Sequence, residues 1–176
     1  MNCDALKKAI REVPGFPKPG ILFYDITPIL ANARLFQQAI TVLAERHMKQ
    51  KPKAVAAIDA RGFIFGAAVA QKLGVGFIPI RKKGKLPFST LDESYDLEYG
   101  SATISVHVDA LKKGDTILIV DDLLATGGTA AASVRLIERL GGKIAEIAFL
   151  VELAGLQGRA KLAGHPVFSA IVYEGG

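Results

Sequence analysis

Two adjacent carboxylates precede a turn of small residues in the run at 117–129, which carries the clearest chemistry in the chain. Residues 117–120 are apolar and predict a buried strand, with Asp121 and Asp122 at its carboxyl end. The turn at 125–129 presents backbone N–H groups before a predicted helix, where an anion is favoured. Carboxylates repel phosphate but accept hydrogen bonds from hydroxyls. The run therefore suits a ribose 5-phosphate, with its phosphate on the turn and its diol on the acids.

Two common nucleotide-binding motifs are missing from this run. The glycine turn has no lysine in the position that a triphosphate P-loop requires, and no G-x-G-x-x-G follows a predicted strand. An ordinary strand–turn–helix connection, whose aspartates merely cap the helix, is the alternative. Capping a helix requires only one acidic residue, whereas this run has two before a five-residue turn. The second acid therefore favours the ligand site over a cap.

The apolar spacing predicts strands that alternate with helices, which implies an α/β fold with a mainly parallel, twisted sheet and helices on both faces. The first helix is expected to be capped by Asp4 and to carry Leu6, Ala9, Ile10 and Val13 on one face. Further helices are predicted near residues 35–43, 63–73, 130–140 and 158–162, and strands at 54–58, 75–80, 103–108, 117–120, 147–152 and 167–173.

Residues 84–101 have weak apolar periodicity and are rich in polar and turn residues. A segment of that length without regular structure is commonly a functional lid, and a merely floppy hairpin is the alternative. The strand that follows alternates strictly, so Ile104, Val106 and Val108 are expected to face one way. No internal repeat or interdomain linker is visible, so residues 1–176 are expected to form one domain.

The composition suits a single globular domain that binds small anions. The chain has 176 residues, is 50% hydrophobic and carries a formal net charge of +5. Its basic residues are scattered apart from residues 81–83 and Lys85, so nucleic acid is not an expected partner. His47, His107 and His165 lie far apart in sequence, without the spacing of a zinc site.

A cytoplasmic location is expected from the same sequence. The single cysteine, Cys3, excludes an intramolecular disulfide and suits a reducing compartment. Charged residues interrupt the N-terminus, so no secretory signal is expected. The apolar stretch at 54–80 contains Asp59, Arg61 and Lys72, so no membrane span is expected.

Three separated motifs resemble one enzyme family. Residues 120–129 resemble the phosphoribosyl-pyrophosphate (PRPP) signature of type I phosphoribosyltransferases, in the form that the adenine-using branch carries. Residues 14–28 resemble the N-terminal, adenine-side segment of that branch, and residues 81–87 with 94–100 resemble its catalytic loop. The motifs occur in order over nearly the whole chain, so chance agreement is improbable.

The resemblance implies the type I phosphoribosyltransferase fold, with a small N-terminal hood at residues 1–32 and a mobile catalytic-loop hairpin at 82–108. It implies transfer of the 5-phosphoribosyl group from PRPP to N9 of adenine, giving AMP and pyrophosphate, which is a purine-salvage reaction. It also implies Mg²⁺, held mainly by PRPP and water with no protein metal ligand, and a homodimer.

The same resemblance assigns the substrate contacts residue by residue. The phosphate and ribose of PRPP or AMP are assigned to Asp121, Asp122, Ala125, Thr126, Gly127, Gly128 and Thr129. The pyrophosphate is assigned to Arg61, Gly62, Arg81 and Lys85. Arg61 as an ordinary surface salt-bridge partner is the alternative.

Adenine is assigned to the N-terminal segment and the chemistry to the catalytic loop. Leu22, Phe23 and Asp25 are expected beside the base, although Phe23 as core packing is an alternative. Glu98 is the expected acid/base for the N9 proton, and Tyr99 helps to close the loop, whereas most glutamates in loops are merely solvated. The neighbouring Tyr24 occupies a position where some relatives have arginine.

Two other functions remain open on the sequence. A phosphoribosyltransferase for hypoxanthine, guanine or xanthine would need a lysine or similar donor to the 6-oxygen, and none can be placed. A PRPP- or purine-sensing regulator usually adds a nucleic-acid-binding module, for which this chain is expected to have no spare length.

Overall fold

The computed structural model describes residues 3–96 and 100–175, which form a seven-stranded sheet, a two-stranded sheet and five α-helices. In chain order the elements are α1 (Asp4–Ala9), β1 (Arg11–Pro14), β2 (Leu22–Asp25), α2 (Thr27–Ala31), α3 (Ala33–Glu45), β3 (Ala54–Ile58), α4 (Arg61–Leu73), β4 (Gly76–Lys82), β5 (Thr90–Asp96), β6 (Ser101–His107), β7 (Thr116–Leu124), α5 (Gly128–Arg139), β8 (Lys143–Leu153) and β9 (Val167–Tyr173). Two 3₁₀ turns, Ala154–Leu156 and Gly158–Leu162, connect β8 to β9.

The large sheet is mainly parallel, as the strand–helix alternation predicts. Its strand order is β5-β6-β4-β3-β7-β8-β9, in which β4, β3, β7, β8 and β9 run parallel. The β5–β6 hairpin extends one edge in antiparallel pairing. Ala57 on β3 lies opposite Val120 on β7, so the loops that leave these strands meet at one edge of the sheet. Ligands of such sheets bind at this carboxyl edge.

Apolar layers cover both faces of the sheet, as expected. One core joins α1, α3 and α4 to the sheet, and includes the fully buried Leu43 and Phe65. The other core packs α5 on the opposite face through Ala130, Val134 and Ile137, all three of them buried. The two cores hold β3 and β7 rigidly between them, and these strands carry the loops of the candidate site.

The N-terminal helix is shorter than its apolar spacing predicts. Helix α1 ends at Ala9, and Val13 lies on β1 opposite Phe23 of β2, so its assignment to the helix is wrong. Asp4 is the first residue of α1, whereas Cys3 occupies the N-cap position without a side-chain cap. Antiparallel pairing with β2 overrides the local helical spacing, as tertiary context often does.

The segment at residues 84–101 contains a strand, β5, that its polar sequence does not predict. Strand β5 pairs with β6 over seven residues, and Ser105 of β6 is buried with its hydroxyl 2.7 Å from the Asp92 carboxylate. Val108 lies just beyond β6 and is exposed, so the predicted Ile104–Val106–Val108 face stops at Val106. An edge strand faces solvent and does not need the apolar alternation that identifies a buried one.

Strand β7 is longer than predicted. It continues through Asp121 and Asp122 to Leu124, with Asp121 opposite Phe149 of β8. Helix α5 already begins at Gly128, so the connection is shorter than the five-residue turn that the sequence suggests. The two carboxylates are therefore held by sheet hydrogen bonding rather than by a loop.

The helices of the described ranges are too short to cross a bilayer. The longest, α3 and α4, have 13 residues each. At 1.5 Å per residue such a helix is about 20 Å long, against a hydrocarbon core of about 30 Å.

A buried ion-pair cluster ties α3 to β8 and makes stability depend on pH. Burial alone raises the pKa of Glu146, but hydrogen bonds from His47 and Arg46 outweigh it and lower the pKa to about 2 from its usual 4.5. The stabilisation is present above pH 4.5 and is lost as the pH falls towards 2.

We expect Glu146→Gln to reduce the free energy of unfolding by about 3 kcal/mol at pH 7, because it removes the buried carboxylate that accepts hydrogen bonds from Arg46 and His47. Urea unfolding at pH 7 and at pH 3 measures the effect, and the gap between variant and wild type is expected to narrow at pH 3. Glu138→Gln, at an exposed carboxylate 3.8 Å from His165, is the control and should change stability little. A constant gap at both pH values would contradict the assignment.

Candidate functional site

A pocket of about 430 Å³ opens where β3 and β7 end. Its floor is the sheet edge, and one wall comes from the β5–β6 hairpin. Polar and charged side chains from five separate elements (α4, β4, β5, β7 and α5) meet there, as they must in a site for a charged, hydroxylated ligand. The lining residues are Ile58, Asp59, Ala60, Arg61, Lys82, Tyr95, Ile104, Asp121, Asp122, Leu123 and Thr129.

The two carboxylates of β7, Asp121 and Asp122, have different surroundings. The Asp121 carboxylate accepts a hydrogen bond from the Asp122 backbone N–H at 2.9 Å and faces Gly62 so closely that a Cβ there would lie 2.5 Å from Oδ1. Burial, and then the charge of Asp122, raise the pKa of Asp121 well above its usual range. A group that donates hydrogen bonds to these carboxylates would relieve this cost, because it favours the ionised form.

Arg61 links the carboxylates to the N-terminal sheet. Its Nε lies 2.6 Å from Oδ2 of Asp122, and its guanidinium lies 5.6 Å from the centre of the Phe23 ring. The first residue of α4 is thus held between an acid of β7 and an aromatic ring of β2. Both partners are predicted substrate contacts, and the Arg61 side chain, which is 45% exposed, lines the pocket beside them.

The turn after β7 forms a second, smaller cavity of about 90 Å³ that adjoins the first. Gly127 has a φ of +75°, a left-handed conformation that glycine adopts without steric cost, and Gly128 begins α5. The N-cap of α5 provides no side-chain hydrogen bond, so the first amides of the helix need another partner. The predicted contacts Ala125, Thr126, Gly127, Gly128 and Thr129 all line this cavity.

The hairpin reaches this turn through Tyr95. A Cβ on Gly128 would lie 3.2 Å from Cδ2 of the Tyr95 ring, so only a residue without a side chain fits comfortably beneath the ring. Two residues earlier on the same face of β5, Glu93 pairs with Arg135 at 2.5 Å and with Arg139 at 2.7 Å. These ion pairs hold β5 against α5 and so hold Tyr95 over the turn.

The basic residues at the end of β4 and in the turn after it take two kinds of position. Arg81 donates from Nε to Asp59 at 3.0 Å and from Nη1 to the Lys85 carbonyl at 3.1 Å. Lys82 lines the large pocket, and Lys85 is exposed beyond it. Arg81 is therefore not a lining residue of the pocket. It contacts Asp59, which is one.

The predicted adenine-side residues lie on β2. The Phe23 ring faces Arg61, whereas Leu22 is exposed. Asp25 is occupied locally, because its two oxygens accept hydrogen bonds from the Thr27 backbone N–H at 2.9 Å and hydroxyl at 2.8 Å. These bonds, with a smaller contribution from the charge of Arg11, lower the pKa of Asp25.

Glu98 and Tyr99 lie outside the described residues. Three lining residues with polar or charged side chains had no predicted role, namely Asp59, Lys82 and Tyr95. Asp59 follows a buried strand just as Asp121 does, and that position was a usable signal. Lys82 stood in the basic run and Tyr95 in the catalytic-loop motif, but sequence alone did not indicate which member of either segment faces the pocket.

Comparisons with known proteins agree with the fold. Residues 25–172 match the family of the phosphoribosyl transferase domain. The adenine phosphoribosyltransferase of Carboxydothermus hydrogenoformans is 53% identical over 168 residues, which are 96% of this chain and 99% of that protein. The crystal structure of the Thermoanaerobacter pseudethanolicus adenine phosphoribosyltransferase is 50% identical with a TM-score of 0.94, covering 98% of this chain and all of that one. The Saccharomyces cerevisiae enzyme, solved with adenine and an imino-altritol bisphosphate, is 41% identical with a TM-score of 0.90, covering 96% and 97%.

Proposed function

Because this chain belongs to the phosphoribosyltransferase family, and within it to the adenine phosphoribosyltransferases, we propose that the pocket at the carboxyl ends of β3 and β7 holds PRPP, with adenine next to it beside β2. The chain transfers the 5-phosphoribosyl group of PRPP to N9 of adenine, giving AMP and pyrophosphate in purine salvage. The assignment of the individual residues is the proposal. The observation that carries it is the junction of two carboxylates and an uncapped helix N-terminus at one strand end.

The 5-phosphate binds the amides of the turn that opens α5. Amide N–H groups and the helix dipole at this end both favour an anion. The hydroxyls of Thr126 and Thr129 add donors within the same small cavity. The left-handed Gly127 lets the backbone approach the phosphate closely.

The ribose diol binds Asp121 and Asp122. As the bond to pyrophosphate breaks, positive charge develops on the ribose ring, and the two carboxylates stabilise that charge electrostatically. Asp122 exchanges its contact with Arg61, now at 2.6 Å, for the ribose hydroxyl when the more highly charged pyrophosphate draws the guanidinium towards itself. Arg61 is then free to turn to the leaving pyrophosphate.

The pyrophosphate lies among the basic residues of the second strand end. Arg61 and the backbone of Gly62 form one side, and Arg81 and Lys85 the other. Lys82, which lines the pocket, is added to this group. Two of these cations are held by Asp122 and Asp59, so they are oriented before the substrate enters.

Adenine lies beside β2. The Phe23 ring stacks on the purine, and backbone groups of the extended Leu22–Phe23 segment form hydrogen bonds with the edge of the purine. Asp25 supports this segment from behind through its bonds to Thr27. Glu98 takes the N9 proton, and Tyr99 closes over the base so that water is excluded from a reactive ribosyl centre.

The side chains around the pocket fit an Mg²⁺ ion that has few protein ligands. Within residues 3–96 and 100–175, no three histidine, cysteine or acidic side chains converge as a metal cage. Asp59 and Asp122 are paired with arginines, which leaves the phosphates of PRPP and water as the main ligands. When bound, the ion neutralises charge on the leaving group.

We therefore expect turnover to stop in excess EDTA and to recover when Mg²⁺ is returned. The reason is that the ion neutralises negative charge on the pyrophosphate leaving group. Release of pyrophosphate from PRPP and adenine measures this. A wild-type rate in EDTA, after the chelator has been shown to remove the metal, contradicts the proposed cofactor.

A homodimer is the proposed assembly. Apolar side chains on α4 and β4 support it: Phe77 packs edge-on to Phe63 with ring centres 5.5 Å apart, yet remains 36% exposed, and Ile64 is 41% exposed. Exposed apolar surface of this kind is typical of a subunit contact. Light scattering on the purified chain gives its mass, and a monomer at micromolar concentration contradicts the proposal.

A cytoplasmic location completes the proposal. It is supported by the free thiol of Cys3 in a chain with one cysteine, as is usual where thiols stay reduced. Cell fractionation with antibody detection tests it directly.

One assay separates the proposed function from its rivals. The protein is incubated with PRPP, Mg²⁺ and one base at a time (adenine, hypoxanthine, guanine or xanthine), and nucleotide and pyrophosphate are measured. AMP from adenine alone supports the proposal. Product from a 6-oxo purine indicates the related enzyme, and PRPP binding without product indicates a sensor.

A further inference from the structure

The turn that receives the 5-phosphate is in backbone contact with a second segment, the 3₁₀ turn that begins at Gly158. A Cβ on Gly158 would lie 2.1 Å from the Ala125 carbonyl oxygen and 2.8 Å from the Gly127 nitrogen. Conversely, a Cβ on Gly127 would lie 2.3 Å from the Gly158 carbonyl oxygen. Neither position has room for a methyl group, since the obstructing atoms are backbone on both sides.

The two glycines are needed for different reasons. Gly127 has a φ of +75°, so conformation alone favours glycine there. Gly158 does not have a positive φ, and alanine could adopt its backbone without strain. Close approach to the turn is therefore what excludes a side chain at Gly158.

The direction of the Ala125 carbonyl explains what the contact does. Its oxygen is nearer to the Cβ position of Gly158 than its carbon is, at 2.1 Å against 3.0 Å, so the carbonyl points towards Gly158. In a trans peptide the carbonyl and the next N–H point in opposite directions. The N–H of Thr126 consequently points away from Gly158.

The segment that carries Gly158 is anchored to the sheet. Arg159 donates from Nε and Nη2 to the two oxygens of the buried Glu152, at 3.0 and 2.5 Å, and from Nη1 to the Val167 carbonyl at 3.0 Å. The Ser169 hydroxyl donates to the same Glu152 carboxylate at 2.5 Å. A bidentate pair of this kind fixes orientation as well as distance, so Gly158 is a rigid support.

We propose that Gly158 is a positioning residue that sets affinity for the 5-phosphate group by holding the Ala125–Gly127 backbone in its anion-binding conformation. This inference rests on the proposed function, because it takes the turn at 125–129 as the phosphate site. Gly158 does not line the small cavity after β7. It acts through the turn, and Arg159 acts through Gly158.

Gly158→Ala tests the proposal in the full-length protein. A methyl group must push the turn away, and a displacement of about 1 Å at a binding site costs as much as about 100-fold. We expect the Kd of AMP and the KM of PRPP to rise about 10- to 100-fold. The Kd of pyrophosphate, which lacks the 5-phosphate, should stay near the wild-type value.

Gly76→Ala is the matched control. It adds the same methyl group at the start of β4, where the nearest atom would be the Ala54 Cβ at an ordinary 3.7 Å. Its affinities for AMP, PRPP and pyrophosphate should all match wild type. If Gly158→Ala does not fold, Arg159→Lys replaces it, since lysine loses the bidentate contact with Glu152 and should weaken AMP binding selectively.

The outcomes are distinct. Wild-type affinity of Gly158→Ala for AMP and PRPP overturns the proposal, and so does an equal loss for pyrophosphate, which indicates general damage. Selective loss for the ligands that carry a 5-phosphate supports it. Wild-type protein that makes no AMP from adenine and PRPP refutes the proposed function instead, independently of either variant.

Discussion

Glutamine in place of Glu98 is expected to lower kcat by about 10²–10⁴ while the Kd of PRPP changes little. The reason is that the N9 proton of adenine must leave during or just after attack on the ribose, and glutamine cannot accept it. PRPP is held by β7, α4 and the turn before α5, which this substitution leaves in place. Steady-state turnover, with PRPP binding measured separately, checks both parts of the expectation.

Asp96→Asn is the matched control for Glu98→Gln. It also neutralises a carboxylate in the hairpin, but at an exposed position at the end of β5, and it should keep wild-type turnover. A Glu98→Gln protein with near-wild-type turnover removes Glu98 from the acid/base role. An equal loss in both variants assigns the effect to hairpin charge rather than to proton transfer.

Asparagine in place of Asp122 is expected to reduce kcat/KM for PRPP by about 10²–10³, which is typical of removing one preorganised electrostatic contact to a transition state. The substitution removes an acceptor for the ribose diol and a negative charge beside the developing ribosyl cation. It also releases Arg61, whose Nε lies 2.6 Å from Oδ2 of Asp122. The Kd of pyrophosphate should therefore not rise.

Direct binding of pyrophosphate and steady-state kinetics with PRPP distinguish these effects. Asp109→Asn, at an exposed position in the turn after β6, is the control and should behave as wild type. If Asp122→Asn weakens pyrophosphate binding as much as it lowers kcat/KM, the carboxylate supports Arg61 rather than the ribose. Wild-type kinetics would refute the diol assignment altogether.

The pairs Arg61–Asp122 and Arg81–Asp59 have the same electrostatic role in the site. Two of the four cations assigned to the pyrophosphate, Arg61 and Arg81, are each held by a carboxylate at a strand end. The cations are therefore oriented and partly neutralised before the substrate arrives, which reduces repulsion among them. Substrate replaces these pairs with phosphate contacts on one side and hydroxyl contacts on the other.

The sequence by itself determined the sheet class and the position of the site. The apolar run at 117–120, the adjacent acids and the glycine turn are signals within one short segment, as are the strands at 54–58 and 167–173. Hydrophobic periodicity and turn chemistry act over a few residues, so they can be interpreted without knowing the fold. The same short-range logic failed at Val13 and at β5, where pairing with another strand outweighed local spacing.

Only the tertiary structure decided which side chains meet. The pairing of Arg61 with Asp122, the Tyr95 ring over Gly128 and the backbone contact of Gly158 with Ala125 all join segments that are distant in the chain. Such contacts depend on strand order, on register and on how far each strand extends before it turns. No periodicity within a segment encodes these quantities, because they arise when β3, β7 and β8 pack side by side and bring their carboxyl ends to one edge.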